Sequence, residues 1–409
     1  MSVNNRPLGI ISCPGSHVFT QQLITHLKRQ TKKRFLDKMT AMAKAYNVPE
    51  SEIVASYNYA NDLASGNSEV KEENITYREP NFEIETRFTR FANGEIKTEI
   101  LSTIREYDIY IVQDVYGTMP ASYYGSEAAE YNVNDHLITL LTTIDAVRVS
   151  SPARITCVLP AYPYARQHKK TGREGLTAAL VGRILEDMGV ERIITLDIHS
   201  KDIDHTFKNL HLENLYASYQ ITEQLLGLID PEKEDLVVVA PDTGAVDRNK
   251  FFANNLKRPL AMLYKERDYS IVSSDANKSN ISTMRMLGDV KGKAVFIVDD
   301  MLGTGGTLIK ALQIMKEMGA TKVIIGISLP LFTADAIEQF DKAYQDGLFY
   351  RIIGCNAVSH SDKLLGRSWY ISADVSPLFA SVVRRLNNSD GLGSLFDSDK
   401  LIQDLLLSK

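Results

Sequence analysis

The sequence predicts an α/β protein of two similar units, each a mostly parallel sheet flanked by helices. Its 409 residues exceed the usual size of a single hydrophobic core, which favours two domains. Short apolar runs of strand type recur from residue 108 onward, and helical patterns lie between many of them. Such alternation is typical of parallel strands joined by crossover helices. We place the division between the units near residues 215 to 235.

The first elements precede this regular part of the chain. A strand candidate, Leu8–Cys13, is followed by a long helical pattern from Phe19 to about Tyr46. The basic side of that helix is typical of a solvated face, although such a face can also bind an acidic partner. Residues 49 to 80 are polar, and we interpret them as an inserted, partly irregular segment.

The later elements follow one another at short intervals. The helical patterns include Asp135–Val147, Glu174–Met188 and Thr307–Met318. The strand candidates are Asp108–Val115, Arg154–Pro160, Arg192–His199, Leu236–Pro241, Pro259–Tyr264, Ala294–Asp300, Lys322–Ser328 and Tyr350–Asn356.

The composition excludes several classes of protein. With 44% hydrophobic and 24% charged residues and a net charge of −5, the chain carries no basic field that would indicate nucleic acid or a membrane surface. Cys157 and Cys355 fall in apolar strand-like runs, so buried free thiols are expected rather than disulfides or zinc ligands. Because we find neither a membrane-spanning apolar run nor a signal-peptide core, we expect a cytoplasmic protein.

The stretch from Ala294 to Leu312 is the strongest functional signal. An apolar run ends on two adjacent acids, Asp299 and Asp300, and a turn rich in Gly and Thr then leads into a helical pattern. Glycines let successive backbone N–H groups converge at a helix N-terminus, which suits a phosphate monoester. The two carboxylates are placed to accept hydrogen bonds from ribose hydroxyls. We therefore predict that a sugar phosphate binds here.

An ordinary strand–turn–helix connection is the alternative interpretation of this stretch. In that case Gly and Thr would merely form the turn, and the two acids at the strand end would have no explanation. The turn matches neither the G-x-x-x-x-G-K-[ST] pattern nor the G-x-G-x-x-G pattern of other phosphate-binding loops.

Polar residues at the ends of other predicted strands are further candidates, because ligands of open α/β sheets bind beyond the carboxyl ends of the strands. Arg166 and Gln167 follow the strand Arg154–Pro160. Nearby cations are Lys169, Lys170 and Arg173. Arginine offers bidentate geometry and lysine a point charge, so the cluster predicts polyphosphate binding. A solvated basic turn is the alternative.

His199 and Asp242 occupy parallel positions at the ends of two other predicted strands. His199, which follows Asp197 closely, could ligate a metal or orient a phosphate oxygen, and it could equally be a satisfied structural residue. A Mg²⁺ site usually keeps waters and shares substrate phosphates, so few protein ligands are expected.

Two more segments carry candidate residues. Lys265 and Arg267 begin a polar segment that runs to about Arg285 and has no hydrophobic period. A mobile loop with two cations suits phosphoryl transfer, because it can stabilise charge and exclude water, although a plain surface loop is the alternative. Earlier in the chain, Phe91 lies beside Asn93 and Glu95 and could stack on a base. The alternative is a surface turn with an incidental Phe.

Eight runs, taken in order, resemble the ribose-phosphate pyrophosphokinase family, also called phosphoribosyl-pyrophosphate synthetases. The runs are YIVQD, VLPAYPYARQHKK, RIITLDIHS, NLYA, APDTG, YKER, GDVKGKAVFIVDDM and TGGT. The resemblance implies two tandem phosphoribosyltransferase-type domains, residues 1–220 and 221–379. An insertion then falls at about 28–86, and the C-terminal tail 380–409 would pack back on the first domain.

The resemblance also implies an activity and an assembly. The β,γ-diphosphoryl group of MgATP would pass to the 1-hydroxyl of ribose 5-phosphate, which releases AMP and serves nucleotide biosynthesis. The enzyme would be a homo-oligomer built from dimers, up to a hexamer. A neighbouring subunit would contribute to each active site, and Mg²⁺ would be needed with ATP.

The resemblance further implies a role for each candidate residue. Phe91, Asn93 and Glu95 would hold adenine from the neighbouring subunit, while Arg166 and Gln167 would contact ATP. His199 and Asp242 would form the Mg²⁺ site, and Lys265 and Arg267 would stabilise charge on the transferring group. Asp299 and Asp300 would bind the ribose hydroxyls, and the 5-phosphate would bind to Thr304, Gly305, Gly306 and Thr307.

Three departures from the family pattern keep other functions open. Gly303 replaces a usual third acid, His168 replaces an Asp, and Asp247 stands where a basic residue is common. One alternative is a catalytically silent homologue that regulates a true synthetase. Another is an enzyme that uses a different ribose 5-phosphate derivative as acceptor. A stand-alone phosphoribosyltransferase is disfavoured, because it would need neither the Phe91 segment nor a second domain.

Overall fold

The fold consists of two helix-flanked sheets that follow one another along the chain. The computed structural model describes residues 6–64, 75–117, 119–124, 127–170, 172–230, 233–266 and 283–408. The predicted α/β class with two tandem, mostly parallel sheets is confirmed, since each sheet is parallel or nearly so and is covered by helices. Among the described residues, no helix has both the length and the apolar character that a membrane crossing requires.

In the part of the chain that the structure describes, the first sheet has five parallel strands in the order β1-β4-β5-β6-β7. A separate antiparallel hairpin, β2–β3, packs against α3. The elements of this part are β1 (Leu8–Ser12), α1 (His17–Tyr46), α2 (Glu50–Ala64), β2 (Thr86–Arg90), β3 (Ile96–Ile100), β4 (Asp108–Val112), α3 (Val133–Val149), β5 (Arg154–Val158), α4 (Thr177–Asp187), β6 (Arg192–Leu196), a 3-10 helix (Lys201–Thr206) and β7 (His211–Leu215).

The second sheet, within the described residues, has seven strands in the order β10-β9-β8-β11-β12-β13-β14, and β10 alone among them runs antiparallel to its neighbour. The elements of this part are α5 (Ser218–Leu228), β8 (Leu236–Ala240), α6 (Val246–Leu256), β9 (Leu260–Glu266), β10 (Thr283–Leu287), β11 (Ala294–Leu302), α7 (Gly306–Glu317), β12 (Lys322–Pro330), α8 (Ala336–Gln345), β13 (Arg351–Cys355), α9 (Asp362–Leu365), β14 (Tyr370–Ala373), α10 (Ser376–Asn387), α11 (Gly393–Phe396) and α12 (Ser398–Leu407).

The apolar strand candidates all form strands, but several polar elements escape sequence-based prediction. Strand β7, with the sequence HLENL, lies at the edge of the first sheet and is mostly half-exposed, so it needs no apolar run. The segment of residues 49–80, expected to be partly irregular, contains helix α2. Few α2 side chains are buried, which explains the weak helical period in its sequence.

One hydrophobic core includes residues of both sheets. Phe19 on α1 meets Phe379 on α10 in an edge-to-face contact with ring centroids 5.2 Å apart. Helix α5 packs on strands β12 and β13, and α12 packs on α5 and α6. Cys157 and Cys355 are buried free thiols, as the sequence predicts. The C-terminal helices therefore connect the two units: α10 lies on α1, whereas α12 lies on helices next to the second sheet.

Asp108 anchors α10 to the first sheet, and its removal should be costly. Its fully buried carboxylate accepts hydrogen bonds from Arg154 Nε at 3.1 Å, from Asn387 Nδ2 at 3.1 Å and from the Tyr110 hydroxyl at 3.0 Å. We expect Asp108→Asn to lower the free energy of unfolding by about 3–5 kcal/mol, because Arg154 would keep a partly buried, unpaired charge.

Urea denaturation checks this prediction, with Asp145→Asn as the matched control. Asp145 also pairs with an arginine, Arg148, but both side chains are more than half exposed. We expect the control to change the unfolding free energy by less than about 1 kcal/mol. Equal effects of the two substitutions would contradict the role assigned to Asp108.

Candidate functional site

The carboxyl ends of strands from both sheets meet at one cluster of polar residues. Strand β6 of the first sheet leads to His199, and strand β11 of the second sheet carries Asp299 and Asp300. His199 Nδ1 lies 2.6 Å from Asp300 Oδ2. The contact joins two residues that are 101 positions apart in the sequence, so the site depends on the docking of the two units.

The predicted phosphate turn lies between β11 and α7 and is open to solvent. Thr304, Gly306 and Thr307 are exposed, and no side chain of the described residues caps the N-terminus of α7. Gly305 has φ = 76°, and a Cβ placed on it would lie 2.3 Å from a ring carbon of buried Phe340. The uncapped N–H groups of the first helical turn are thus available to an anion, and only glycine fits at residue 305.

The two acids before the turn have different electrostatic environments. Burial and the neighbouring Asp300 carboxylate raise the pKa of Asp299. Burial alone would also raise the pKa of Asp300, but the His199 hydrogen bond and the Arg248 guanidinium outweigh it and lower that pKa. The backbone N–H of Asp300 donates to Asp299 Oδ1 over 2.9 Å. Asp300 therefore stays ionised as an acceptor, whereas Asp299 is the first of the pair to take up a proton.

His199 is oriented by its carboxylate partner. A proton on Nδ1, directed at Asp300, leaves the Nε2 lone pair available as a ligand or acceptor. The ring of His168 meets His199 in an edge-to-face contact with centroids 5.2 Å apart. The residue that departs from the family pattern thus contacts the candidate metal ligand directly.

Asp242 lies in the loop between β8 and α6, where it has a structural role as well. Its Oδ1 accepts hydrogen bonds from the backbone N–H groups of Gly244 and Ala245 at 2.9 and 3.0 Å. Within the described ranges, no group of three His, Cys, Asp or Glu side chains could hold a metal ion. This donor set still fits Mg²⁺ that enters with a polyphosphate, since such an ion keeps waters and few protein ligands.

Arg166 reaches from the first unit to the strand end of the second. Its Nη2 lies 3.4 Å from the Met301 carbonyl oxygen, and its Nη1 would lie 3.6 Å from a Cβ on Gly303. Gln167 is exposed in the same loop, as are Lys169 and Lys170. The space left by the absent third acid is therefore adjacent to the Arg166 guanidinium.

The remaining candidates lie apart from this cluster or beyond what the structure describes. Phe91, Asn93 and Glu95 form the turn of the β2–β3 hairpin, and the Phe91 ring is 48% exposed. Among the described residues, no hydrogen bond or ion pair joins this turn to the cluster around His199. Lys265 lies on β9 with its backbone paired to Met284, and Arg267 lies outside the described residues.

Sequence reasoning missed a partly buried cation next to the site, Arg248, whose side chain is 24% exposed. Arg248 on α6 donates from Nη1 to Asp197 Oδ1 over 2.9 Å, and Asp197 is almost fully buried. The only signal in the sequence is the position of Arg248 in the first turn of the helix that follows Asp242. From the sequence alone, an arginine paired with a carboxylate at this position cannot be distinguished from a solvated arginine, because the pair forms only when the two units dock.

Comparison with known proteins agrees with this geometry. Residues 63–189 match the family described as the N-terminal domain of ribose phosphate pyrophosphokinase, and residues 211–351 match the phosphoribosyl transferase domain. The chain is 34% identical over 312 residues to ribose-phosphate pyrophosphokinase A of Dictyostelium discoideum, covering 76% of this chain and 89% of that protein. It is 32% identical over 308 residues to ribose-phosphate pyrophosphokinase 2 of Schizosaccharomyces pombe, covering 75% and 88%.

A solved structure shows the same arrangement of both units. The crystal structure of phosphoribosylpyrophosphate synthetase from Mycobacterium smegmatis superimposes with a TM-score of 0.68 at 25% identity, covering 94% of this chain and all of that one. The family resemblance and the implied enzyme class are thereby confirmed. The chain belongs to the ribose-phosphate pyrophosphokinase family of enzymes.

Proposed function

We propose that this protein transfers the diphosphoryl group of MgATP to the 1-hydroxyl of ribose 5-phosphate, giving 5-phosphoribosyl 1-diphosphate and AMP. One observation carries the proposal. Two adjacent acids, Asp299 and Asp300, are followed by an exposed glycine turn at the start of α7, and Asp300 is hydrogen-bonded to His199. Such a site offers amide donors to a phosphate and carboxylate acceptors to sugar hydroxyls at adjacent positions. The relatives named above support the same activity.

Ribose 5-phosphate would bind with its phosphate on the amides of residues 304–307. Asp300 is held as an ionised acceptor by His199 and Arg248, so it is suited to accept from a ribose hydroxyl. The adjacent Asp299 would bind the second ribose hydroxyl. Both contacts fix the ring, which directs the 1-hydroxyl away from the turn and toward the diphosphoryl donor.

ATP would lie between the first-unit loop and this sugar. Arg166 and Gln167 would contact the nucleotide, and the hairpin turn with Phe91, Asn93 and Glu95 would hold adenine from a neighbouring subunit. The large exposed fraction of the Phe91 ring is what such a contact between subunits requires. We therefore propose a homo-oligomer based on dimers.

The chemical step needs charge stabilisation rather than a covalent enzyme intermediate. Lys265 and Arg267 would place positive charge on the diphosphoryl group as the bond to the α-phosphate breaks and the bond to the sugar oxygen forms. Magnesium bound with ATP would neutralise phosphate charge. His199 through Nε2 and Asp242 through its second oxygen would hold that ion or its waters.

An assay of AMP release tests this proposal. We expect the purified protein with MgATP to form AMP and phosphoribosyl pyrophosphate in equal amounts when ribose 5-phosphate is present. Little AMP should form without the sugar, and a chelator should abolish the reaction. Absence of AMP would favour the silent homologue. Faster AMP release with a larger ribose 5-phosphate ester would favour the altered-acceptor alternative, for which Gly303 beside Arg166 leaves room.

A further inference from the structure

Asn249 on α6 replaces a missing strand neighbour of β11. Strand β8 pairs with β11 only as far as Phe296. Beyond that point the Asn249 side chain makes both hydrogen bonds to Val298: its Nδ2 donates to the carbonyl oxygen at 2.8 Å, and its Oδ1 accepts from the N–H at 2.9 Å. The amide thus acts as a peptide group would in the sheet, immediately before Asp299.

The preceding residue, Arg248, contacts the other strand end of the site. Asp197, two residues before His199, accepts from Arg248 Nη1 at 2.9 Å, from Ser328 Oγ at 2.6 Å and from the Ala217 N–H at 3.1 Å. Asp197 has φ = 42°, a left-handed conformation that is strained for a residue with a side chain. Such strain persists only where surrounding contacts fix the residue, and here they come from both sheets.

We propose that Arg248 and Asn249 are positioning residues for the sugar-binding acids. Two consecutive side chains of one helix hold the end of β6 and the end of β11, and so keep His199 at hydrogen-bonding distance from Asp300. The inference rests on the proposed function, because it assumes that Asp299 and Asp300 receive the ribose hydroxyls. Neither Arg248 nor Asn249 needs to touch a substrate.

A purely structural role is the competing explanation, and α6 itself offers a matched control. Asn255, on the same helix, is also buried, and its Nδ2 donates to Asp399 at 2.7 Å and to the Phe251 carbonyl at 3.0 Å. The bond to Asp399 fixes α6 to α12, and among the described residues no hydrogen bond of Asn255 reaches β11. Asn249→Ala and Asn255→Ala therefore remove side-chain amides of the same kind from the same helix, and only the first contacts β11.

The experiment compares these variants in three measurements: the melting temperature, the dissociation constant for ribose 5-phosphate, and the NMR signal of the His199 ring Nδ1 proton. That signal is assigned by its absence in His199→Asn. We expect similar losses of melting temperature. Only Asn249→Ala should weaken ribose 5-phosphate binding, by about tenfold or more, and shift the His199 signal. Arg248→Lys, which keeps the charge, should bind the sugar better than Arg248→Met.

The inference would be overturned if Asn249→Ala and Asn255→Ala changed sugar binding and the His199 signal equally, or if neither variant changed them. Failure of the proposed function gives a different pattern. If wild-type protein binds ribose 5-phosphate and releases no AMP, the activity is wrong and the binding constants still decide the positioning role. If wild-type protein does not bind the sugar, the positioning role is decided by whether Asn249→Ala, and not Asn255→Ala, shifts the His199 signal.

Discussion

Replacing Lys265 with alanine is expected to lower turnover by at least about 100-fold while ATP affinity stays nearly unchanged. The reason is that a cation at the end of β9 would contact the diphosphoryl group mainly as charge develops on it. Removing a single donor of this kind typically costs about 10²–10³ in rate. Because the contact forms mainly in the transition state, binding of the ground-state substrate is largely retained.

Steady-state AMP release and equilibrium binding of ATP together check this prediction. Lys342→Ala is the control, since Lys342 is an exposed lysine on α8 and has no proposed part in the reaction. The control should leave both quantities within about twofold of wild type, which is the range expected for a surface substitution. Wild-type turnover in Lys265→Ala would remove this residue from the mechanism. A large loss of ATP affinity would instead assign it to substrate binding.

The sequence locates the elements of the candidate site that are local, and it does not specify the contacts that depend on docking of the two units. The acid pair and glycine turn are contiguous in sequence, so strand, turn and helix signals locate them together. The bond between His199 and Asp300 joins strand ends of different sheets, and no local pattern specifies how those ends meet. The same applies to Arg248, whose carboxylate partner, Asp197, belongs to the other unit.

A single added methyl group at Gly305 is expected to displace the predicted phosphate turn. An alanine there would have to adopt φ near 76°, which costs about 1–2 kcal/mol, and its Cβ would overlap the Phe340 ring at 2.3 Å. Overpacking of this kind costs about 1–3 kcal/mol more. Because Phe340 lies within the second-sheet core, we expect the turn to shift, which would separate the N–H groups proposed to bind the phosphate.

We therefore expect Gly305→Ala to bind ribose 5-phosphate at least about 30-fold more weakly, which corresponds to the loss of roughly 2 kcal/mol of binding free energy. Calorimetric titration with the sugar phosphate, well below the melting temperature, measures this change. Gly306→Ala is the first control, since a Cβ there meets no atom within 4 Å and the residue begins α7. It should retain wild-type stability or gain slightly, because alanine favours the helix.

Gly182→Ala separates loss of the turn from general destabilisation. A Cβ on Gly182 would lie 1.9 Å from the Phe207 ring, in the first unit, so this variant should lose comparable stability with the turn intact. If both destabilised variants lost sugar-phosphate affinity to the same extent, the turn would have no specific part in binding. If only Gly305→Ala loses sugar-phosphate affinity, the result supports the backbone amides after Asp299 and Asp300 as the phosphate site. The reason is that the two variants differ in the local structure that the added methyl group displaces.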